Sequence, residues 1–175
     1  VAVTNGEGFK MNQDQYGNVK YAAGIDIKPI SGWITRFYYD NAPSDNPAKN
    51  GTQQLFSLFT GFQLPKVFRI GAEYNYHRNH AHITGSDLYG FSGYAAYVVS
   101  KKIELFARYD HLKSNTLPDA TEPWNLNNNG KTRVAGIQYI PVKNIALSVS
   151  YQGWQPDLST AATKNAVALS FEFKQ

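Results

Sequence analysis

Hydrophobic and polar residues alternate with a period of two along most of the chain, and such alternation predicts β-strands with one apolar face. The pattern is clearest in the last two segments, where apolar side chains fall on every second position. Those residues are Ile145, Leu147, Val149, Tyr151, Val167, Leu169, Phe171 and Phe173. Segments at 20–28, 68–76 and 103–110 repeat the alternation, and no segment shows a convincing helical period. The chain is therefore predicted to be all-β, with about ten strands, the first of them short.

The connections between the predicted strands alternate between short and long. The short ones are turns built on Pro, Lys and Asn, at 28–32, 64–66, 100–102 and 141–144. The long ones are polar loops at 6–17, 41–52, 78–87, 113–130 and 155–164. This alternation places tight turns at one rim of an antiparallel sheet and long loops at the other, as in outer-membrane barrels. We therefore predict an antiparallel transmembrane β-barrel, with residues 1–175 forming a single domain.

One face of each predicted strand carries charged residues and glycines, and the other carries aliphatic and aromatic residues. A soluble barrel shows the same alternation with its faces exchanged, so the alternation alone does not decide between the two. Charges in the middle of strands are easily placed in a water-filled lumen. The candidate pore-lining residues are Lys20, Asp26, Arg36, Arg69, Glu73, Glu104, Arg108, Asp110 and Glu172.

The same charges have a second interpretation as structural ion pairs. Arg69 with Glu73, and Glu104 with Arg108, are spaced so that they could pair and simply solvate the wall. The two interpretations stay open at this point. In either case, the mixed signs argue against strong ion selectivity.

Aromatic residues of the apolar face cluster near the ends of the predicted strands, which favours a membrane barrel with two aromatic girdles. The alternative is that strands are simply rich in Tyr and Phe. The girdle at the tight turns comprises Trp33, Phe62, Phe68, Tyr97, Tyr139, Phe171 and Phe173. The girdle at the long loops comprises Tyr39, Tyr74, Tyr76, Tyr89, Tyr109, Tyr151 and Trp154.

Composition narrows the class of protein further. Mean hydropathy is -0.43, and no apolar run approaches the roughly 20 residues that a spanning helix needs, which argues against a helical membrane protein. The chain has no cysteine, which excludes disulfides and thiolate metal sites. The net charge of +4 comes from scattered Lys and Arg residues, so nucleic acid is not an expected partner.

The two ends of the sequence carry signals of processing and assembly. Val1 begins directly on a strand-like segment, without an initiator methionine or a signal peptide, so the chain looks processed or cut. Near the other end, Phe171 and Phe173 resemble the C-terminal aromatic signal by which outer-membrane proteins are recognised for assembly, although Lys174 and Gln175 follow.

A family resemblance rests on two segments, VAVTNGEG at 1–8 and KYAAGIDIKP at 20–29. They resemble the mid-barrel portion of Bacteroidota-type members of the phosphate-selective porin O and P family, where a strand ending in an Asn-Gly-rich loop precedes a strand ending in a Lys-Pro turn. The resemblance implies a larger barrel of about 16 strands, with its N-terminal strands missing here, assembled as a trimer. Phosphate selectivity is not carried over, because the family's pore arginine ladder has no clear counterpart here.

Histidines provide a candidate metal site that the sequence disfavours. His77, His80 and His82 could present imidazoles to zinc or copper. However, they fall in a predicted loop with no carboxylate before Asp87, which favours an ordinary solvated loop. We therefore predict neither a metal site nor a cofactor.

Three functions remain, and the sequence favours an outer-membrane porin for passive diffusion of small hydrophilic solutes or anions. The alternatives are an outer-membrane hydrolase and an accessory barrel in an envelope complex. Asp110 and His111 are adjacent, so they should point to opposite faces of a strand, and no linear catalytic motif is seen. We therefore predict a protein that is not an enzyme, located in the outer membrane in contact with its lipid.

Overall fold

The computed structural model describes residues 1–5, 19–44, 49 and 51–173, and these residues form ten β-strands. The strands are β1 (Ala2–Asn5), β2 (Val19–Ile27), β3 (Trp33–Ala42), β4 (Gln53–Leu64), β5 (Phe68–Arg78), β6 (Leu88–Ser100), β7 (Ile103–Ser114), β8 (Gly130–Tyr139), β9 (Ile145–Pro156) and β10 (Lys164–Phe173). Single 3-10 turns at His80–His82 and Leu126–Asn128 interrupt two of the connections. No helix of the described residues is long and apolar enough to cross a membrane.

All ten strands belong to one antiparallel sheet in which each strand pairs with its neighbours in the sequence. The predicted all-β antiparallel architecture is confirmed, as is the alternation of short and long connections after β2. The predicted loop at 6–17 lies outside the described residues. Within the described part of the chain, β1 and β10 each pair on one side only, so the sheet is open. A closed, larger barrel stays a prediction.

The pairing register sorts the side chains of the sheet into two faces, because directly opposite residues of antiparallel strands point the same way. One row across the sheet joins Asp26 to Arg36, Arg36 to Phe59, and Phe59 to Glu73. The neighbouring row of the other face joins Ile25 to Phe37 and then to Leu58. We call the face of Asp26 the polar face and the face of Ile25 the apolar face.

Large hydrophobic side chains of the apolar face are exposed rather than packed into a core. The exposed fraction reaches 82% for Leu169 on the edge strand β10 and is still 51% for Ile70 in the middle of the sheet. Among the described residues only Ala42 and Ala96 are buried hydrophobic residues. An apolar surface of this extent normally marks a membrane or a protein interface.

The polar face also carries aromatic rings, and these rings lie over glycines of neighbouring strands. Phe106 covers Gly136 of the adjacent strand, and Tyr94 covers Gly71. A Cβ atom added at Gly136 would stand 2.5 Å from the Phe106 ring and 2.5 Å from the carbonyl oxygen of Val149. Glycine is therefore needed at position 136 because the ring and the carbonyl oxygen lie too close for a side chain, and not because the backbone needs extra freedom.

One predicted girdle residue lies on the wrong face. Trp154 pairs with Thr132 and with Lys164, and these positions belong to the polar face. Its ring lies against Gly130, at 2.8 Å from where a Cβ would stand. The placement of Trp154 in the outer girdle was therefore wrong, because its position has the parity of Ser150 and not of Tyr151. The other girdle residues have the parity of the apolar face.

We expect Gly136→Ala to destabilise the folded sheet by about 1–3 kcal/mol, since the added methyl meets both a ring and a backbone oxygen that cannot rotate away. Urea unfolding of the protein in lipid vesicles measures this change. Gly24→Ala is the matched control on the same face, because its Cβ would meet no atom nearer than 3.5 Å. Equal unfolding midpoints for the two variants would contradict the close-packing role of Gly136.

Candidate functional site: the charged polar face

The nine predicted pore-lining residues all lie on the polar face, in strands β2, β3, β5, β7 and β10. Seven of them take part in four ion pairs, each formed within this face. The pairs are Lys20 with Asp40, Asp26 with Arg36, Arg69 with Glu104, and Arg108 with Asp110.

The Asp26–Arg36 pair joins directly opposite residues of β2 and β3. The guanidinium donates two hydrogen bonds, from Nε to Asp26 Oδ1 at 2.6 Å and from Nη2 to Oδ2 at 2.7 Å. This two-point geometry is the strongest form of such a pair.

The Arg69–Glu104 pair spans three strands. Arg69 on β5 donates to both carboxylate oxygens of Glu104 on β7, at 2.9 and 2.5 Å. The side chains meet over Ala96 of β6, which is opposite Arg69 and is buried because the pair covers it. The alternative pairing of Arg69 with Glu73 is not formed, since Arg69 reaches sideways across the sheet instead of along its own strand.

The alternative pairing of Glu104 with Arg108 is not formed either, because Glu104 is paired with Arg69. Arg108 instead donates from Nε to both oxygens of Asp110, each at 2.9 Å. Asp110 also accepts a hydrogen bond of 2.5 Å from the hydroxyl of Ser92, the residue opposite it on β6. Glu73 accepts from the amide of Asn75 at 2.5 Å.

Asp40 is a member of the charged face that sequence reasoning missed. Its carboxylate is almost fully buried, lies 2.7 Å from Lys20 Nζ, and accepts a 3.0 Å hydrogen bond from the Tyr38 hydroxyl. Asp40 has the parity of Arg36, which was available in the sequence. It was overlooked because it lies next to a predicted loop rather than in mid-strand.

In each of the four pairs the cation is more exposed than its carboxylate partner. The side-chain exposures are 49% for Arg69 against 9% for Glu104, and 33% for Lys20 against 4% for Asp40. The same order holds for Asp26–Arg36 and Arg108–Asp110. The paired charges therefore present mainly ammonium and guanidinium groups to the surrounding space, although formal charge is balanced within every pair.

The long connections are joined to one another at the rim opposite the tight turns. Backbone and side-chain hydrogen bonds of 2.9–3.0 Å link each described connection to the next. They run from Gly51 N to His82 O, from Asn79 Nδ2 to Thr52 O, from Asn115 Nδ2 to Gly85 O, from Trp124 Nε1 to Asp87 O, and from Asp157 N to Asn129 O. The loop rim is therefore a connected structure and not a set of independent loops.

His80 and His82 lie in the predicted connection at this rim, whereas His77 belongs to β5. His77 and His80 approach with their Nδ1 atoms 3.3 Å apart, and the His80 ring stacks on Trp124 at a centroid distance of 5.6 Å. All three histidines are half-buried. Trp124 comes from a distant connection, so the local sequence around His80 held no sign of it. In the described ranges, no group of three or more His, Asp or Glu side chains converges as a metal site requires.

Asp110 and His111 point to opposite faces, as predicted. Asp110 contacts Ser92 and Arg108 on the polar face, whereas His111 Nε2 lies 3.7 Å from Asp157 on the other side. The two adjacent residues therefore do not act on a common point.

The fold is similar to the solved structure of the NanC porin in a rhombohedral crystal form. The TM-score is 0.58, and the match covers 90% of this chain and 79% of that chain. Sequence identity is 14%, so the similarity concerns the fold alone. No protein-family model and no curated protein sequence matches the chain. The chain thus has a porin-like antiparallel β-fold, and its resemblance to the O and P family stays a prediction.

We expect Trp124→Ala to loosen the loop rim, because it removes both the stacking on His80 and the hydrogen bond to Asp87. The connection at 115–129 should then be cleaved by a protease about tenfold faster. A tenfold rate corresponds to a free energy of local opening lowered by about 1.4 kcal/mol, roughly the contribution of one hydrogen bond. Limited proteolysis of the folded protein measures this rate. Asn128→Ala is the control, since it removes only an exposed side-chain hydrogen bond to Asn125. A Trp124→Ala rate equal to that of the control would refute the role of Trp124 in holding the rim together.

Proposed function

We propose that this chain forms the wall of an outer-membrane porin through which small hydrophilic solutes diffuse passively. The observation that carries the proposal is the division of one sheet into a face of hydrated ion pairs and a face of exposed apolar side chains. The similarity of the fold to the NanC porin supports it. The pore-lining residues are then the nine residues predicted from the sequence, together with Asp40.

The polar face is assigned to the lumen because the reverse arrangement is costly. A lipid-facing Arg or Lys at the bilayer midplane costs about 2–4 kcal/mol, and the polar face holds Arg36 and Arg108 in mid-strand. Apolar side chains such as Ile70 and Leu169 lose nothing by facing hydrocarbon. Aromatic residues of the apolar face near the strand ends, such as Trp33 and Tyr151, suit the two membrane interfaces.

The lumen is expected to prefer small anions weakly. Formal charge balances within each pair, but the cation of each pair is the more exposed partner, so a passing solute meets ammonium and guanidinium groups first. This arrangement favours neither a strong selectivity nor a specific site for phosphate.

A hydrolase is the less favoured function. Asp110 has a hydroxyl partner in Ser92, but the neighbouring His111 points away from both, so no base completes a nucleophilic group there. An accessory barrel has no observation of its own in its favour. Catalysis is therefore not part of the proposal.

Purified protein added to a planar lipid bilayer is expected to produce stepwise, ohmic conductance. A water-filled lumen lined by hydrated ion pairs carries small ions without a gating charge, so the current should be proportional to voltage. Heat-denatured protein at the same concentration is the control. Protein that inserts, as shown by protease protection of its strands, but carries no current would refute the porin function.

Charge variants test which face lines the pore. Removing three lumen cations in Arg36→Gln/Arg69→Gln/Arg108→Gln should shift the reversal potential in a salt gradient toward cation preference, by about twofold in permeability ratio. The opposite set, Asp26→Asn/Glu104→Gln/Asp110→Asn, should shift it toward anion preference. Arg133→Gln, on the apolar face, is the control and should leave the potential unchanged. If the Arg133→Gln shift equals that of the triple variants, the assignment of the polar face to the lumen is wrong.

The size of the complete barrel is part of the proposal, as is its assembly as a trimer. Phe171 and Phe173, at the end of β10, are proposed to serve as the assembly signal. The protein purified from native membranes is expected to have a mass well above the 19.6 kDa of this chain, with mobility that changes on boiling. A mass near 19.6 kDa would contradict the larger barrel.

A further inference from the structure

The tight turns carry a charge pattern that the pore does not use. Four turns, at 28–32, 65–67, 101–102 and 140–144, join β2 to β3, β4 to β5, β6 to β7 and β8 to β9. Each contains at least one lysine, and none contains Asp or Glu. We call this set the lysine rim: Lys28, Lys66, Lys101, Lys102 and Lys143.

All five lysines of the rim are exposed, and none forms an ion pair with a described carboxylate. The nearby acids lie on strands of the polar face, where Asp26 is held by Arg36 and Glu104 by Arg69. Glu172 also lies on a strand and not in a turn. In contrast, the described connections at the other rim contain the acids Asp87, Asp119, Glu122 and Asp157 beside Lys49. The tight turns therefore carry only positive charge, whereas the described loop connections carry both signs.

One lysine of the rim occupies a backbone position that disfavours it. Lys66 has φ 64°, in the left-handed region that normally takes Gly or Asn. The other tight turns with positive φ follow that preference, with Gly32 at 85° and Asn144 at 71°. A lysine at a position that its backbone disfavours points to a use for its side chain.

From this pattern we propose that the lysine rim binds the headgroups of anionic phospholipids at the membrane surface on the turn side. The proposal rests on the proposed membrane location. Adjacent turns are separated by two strands, or about 10 Å along the sheet, which is close to the Debye length at about 0.1 M salt, so their fields overlap. Basic residues just outside a membrane-spanning segment attract anionic lipid in this way.

The arrangement fits a lipid surface better than a free anion. The lysines are spread along the rim, one or two per turn, and do not converge on a common point as ligands of a single phosphate would. Their turns lie next to the apolar-face residues Trp33, Phe68 and Tyr139 at the strand ends. These aromatic residues mark the level of the membrane interface. An extended row of positive charges at that level lies where lipid headgroups are, so it fits many headgroups better than one free phosphate.

Trp33 provides a built-in reporter for the test. It is the first residue of β3, lies beside the turn at 28–32 on the apolar face, and is 42% exposed. Trp124 lies in a connection at the loop rim and Trp154 on the polar face, so neither faces the acyl chains. Quenching by brominated lipid should therefore report Trp33, and Trp33→Phe should abolish it.

The experiment compares quenching by brominated phosphatidylglycerol with quenching by brominated phosphatidylcholine in vesicles that contain the protein. The native protein is expected to prefer the anionic lipid about threefold, and 0.5 M salt should reduce this preference. Replacing all five lysines of the rim by Gln should abolish it, whereas replacing all five by Arg should keep it. Lys113→Gln/Lys131→Gln, at the opposite rim, should leave it unchanged.

Three results would overturn the proposal. Equal quenching by the two lipids shows that no anionic preference exists, and a preference that survives the five Lys→Gln changes assigns it elsewhere. Loss of the preference on adding inorganic phosphate, but not chloride at equal ionic strength, shows a free-phosphate site instead. Failure of the porin proposal gives a different result, because a protein outside the bilayer would be quenched by neither lipid. If only the lipid proposal is wrong, the protein is quenched equally by both lipids, and the five-lysine variant still conducts.

Discussion

The structure depends on one constraint, that a backbone N–H or C=O removed from water needs a hydrogen-bond partner within the protein. A continuous antiparallel sheet meets this need strand by strand, and each of the described strands β2 to β9 is paired on both sides. Because strand side chains alternate, the same pairing forces half of them to each face. The separation of charged from apolar residues is thus a consequence of satisfying the backbone.

In the proposed porin, ion pairing makes the charged face compatible with a water-filled lumen. Pairs such as Arg69 with Glu104 keep opposite charges within hydrogen-bonding distance, so the wall adds little net field. The carboxylate is the less exposed partner in each of the four pairs, and the cation is the more exposed one. This asymmetry gives the proposed lumen a weak preference for anions without isolating any charge in a dry environment.

Much of the fold could be predicted from sequence, because period-two alternation and turn chemistry are local. Asp26 and Arg36 were placed on one face correctly, since only a tight turn separates their strands. The partner of Arg69 could not be predicted, because it depends on the stagger of three strands and on the reach of two long side chains. The same limit applies to His80, whose stacking partner Trp124 lies in another connection. Trp154 was assigned to the wrong face, although the sequence shows that it lies an even number of positions from Ser150 in the same strand.

The edge strand β10 sets a requirement for closing the proposed barrel. The ten residues of β10 pair with β9 on one side, and their other row of backbone groups has no partner among the described residues. In the proposed membrane location, each unpaired group of this row costs several kcal/mol. The proposed porin therefore requires another strand to pair with β10, and closure of the barrel meets this requirement.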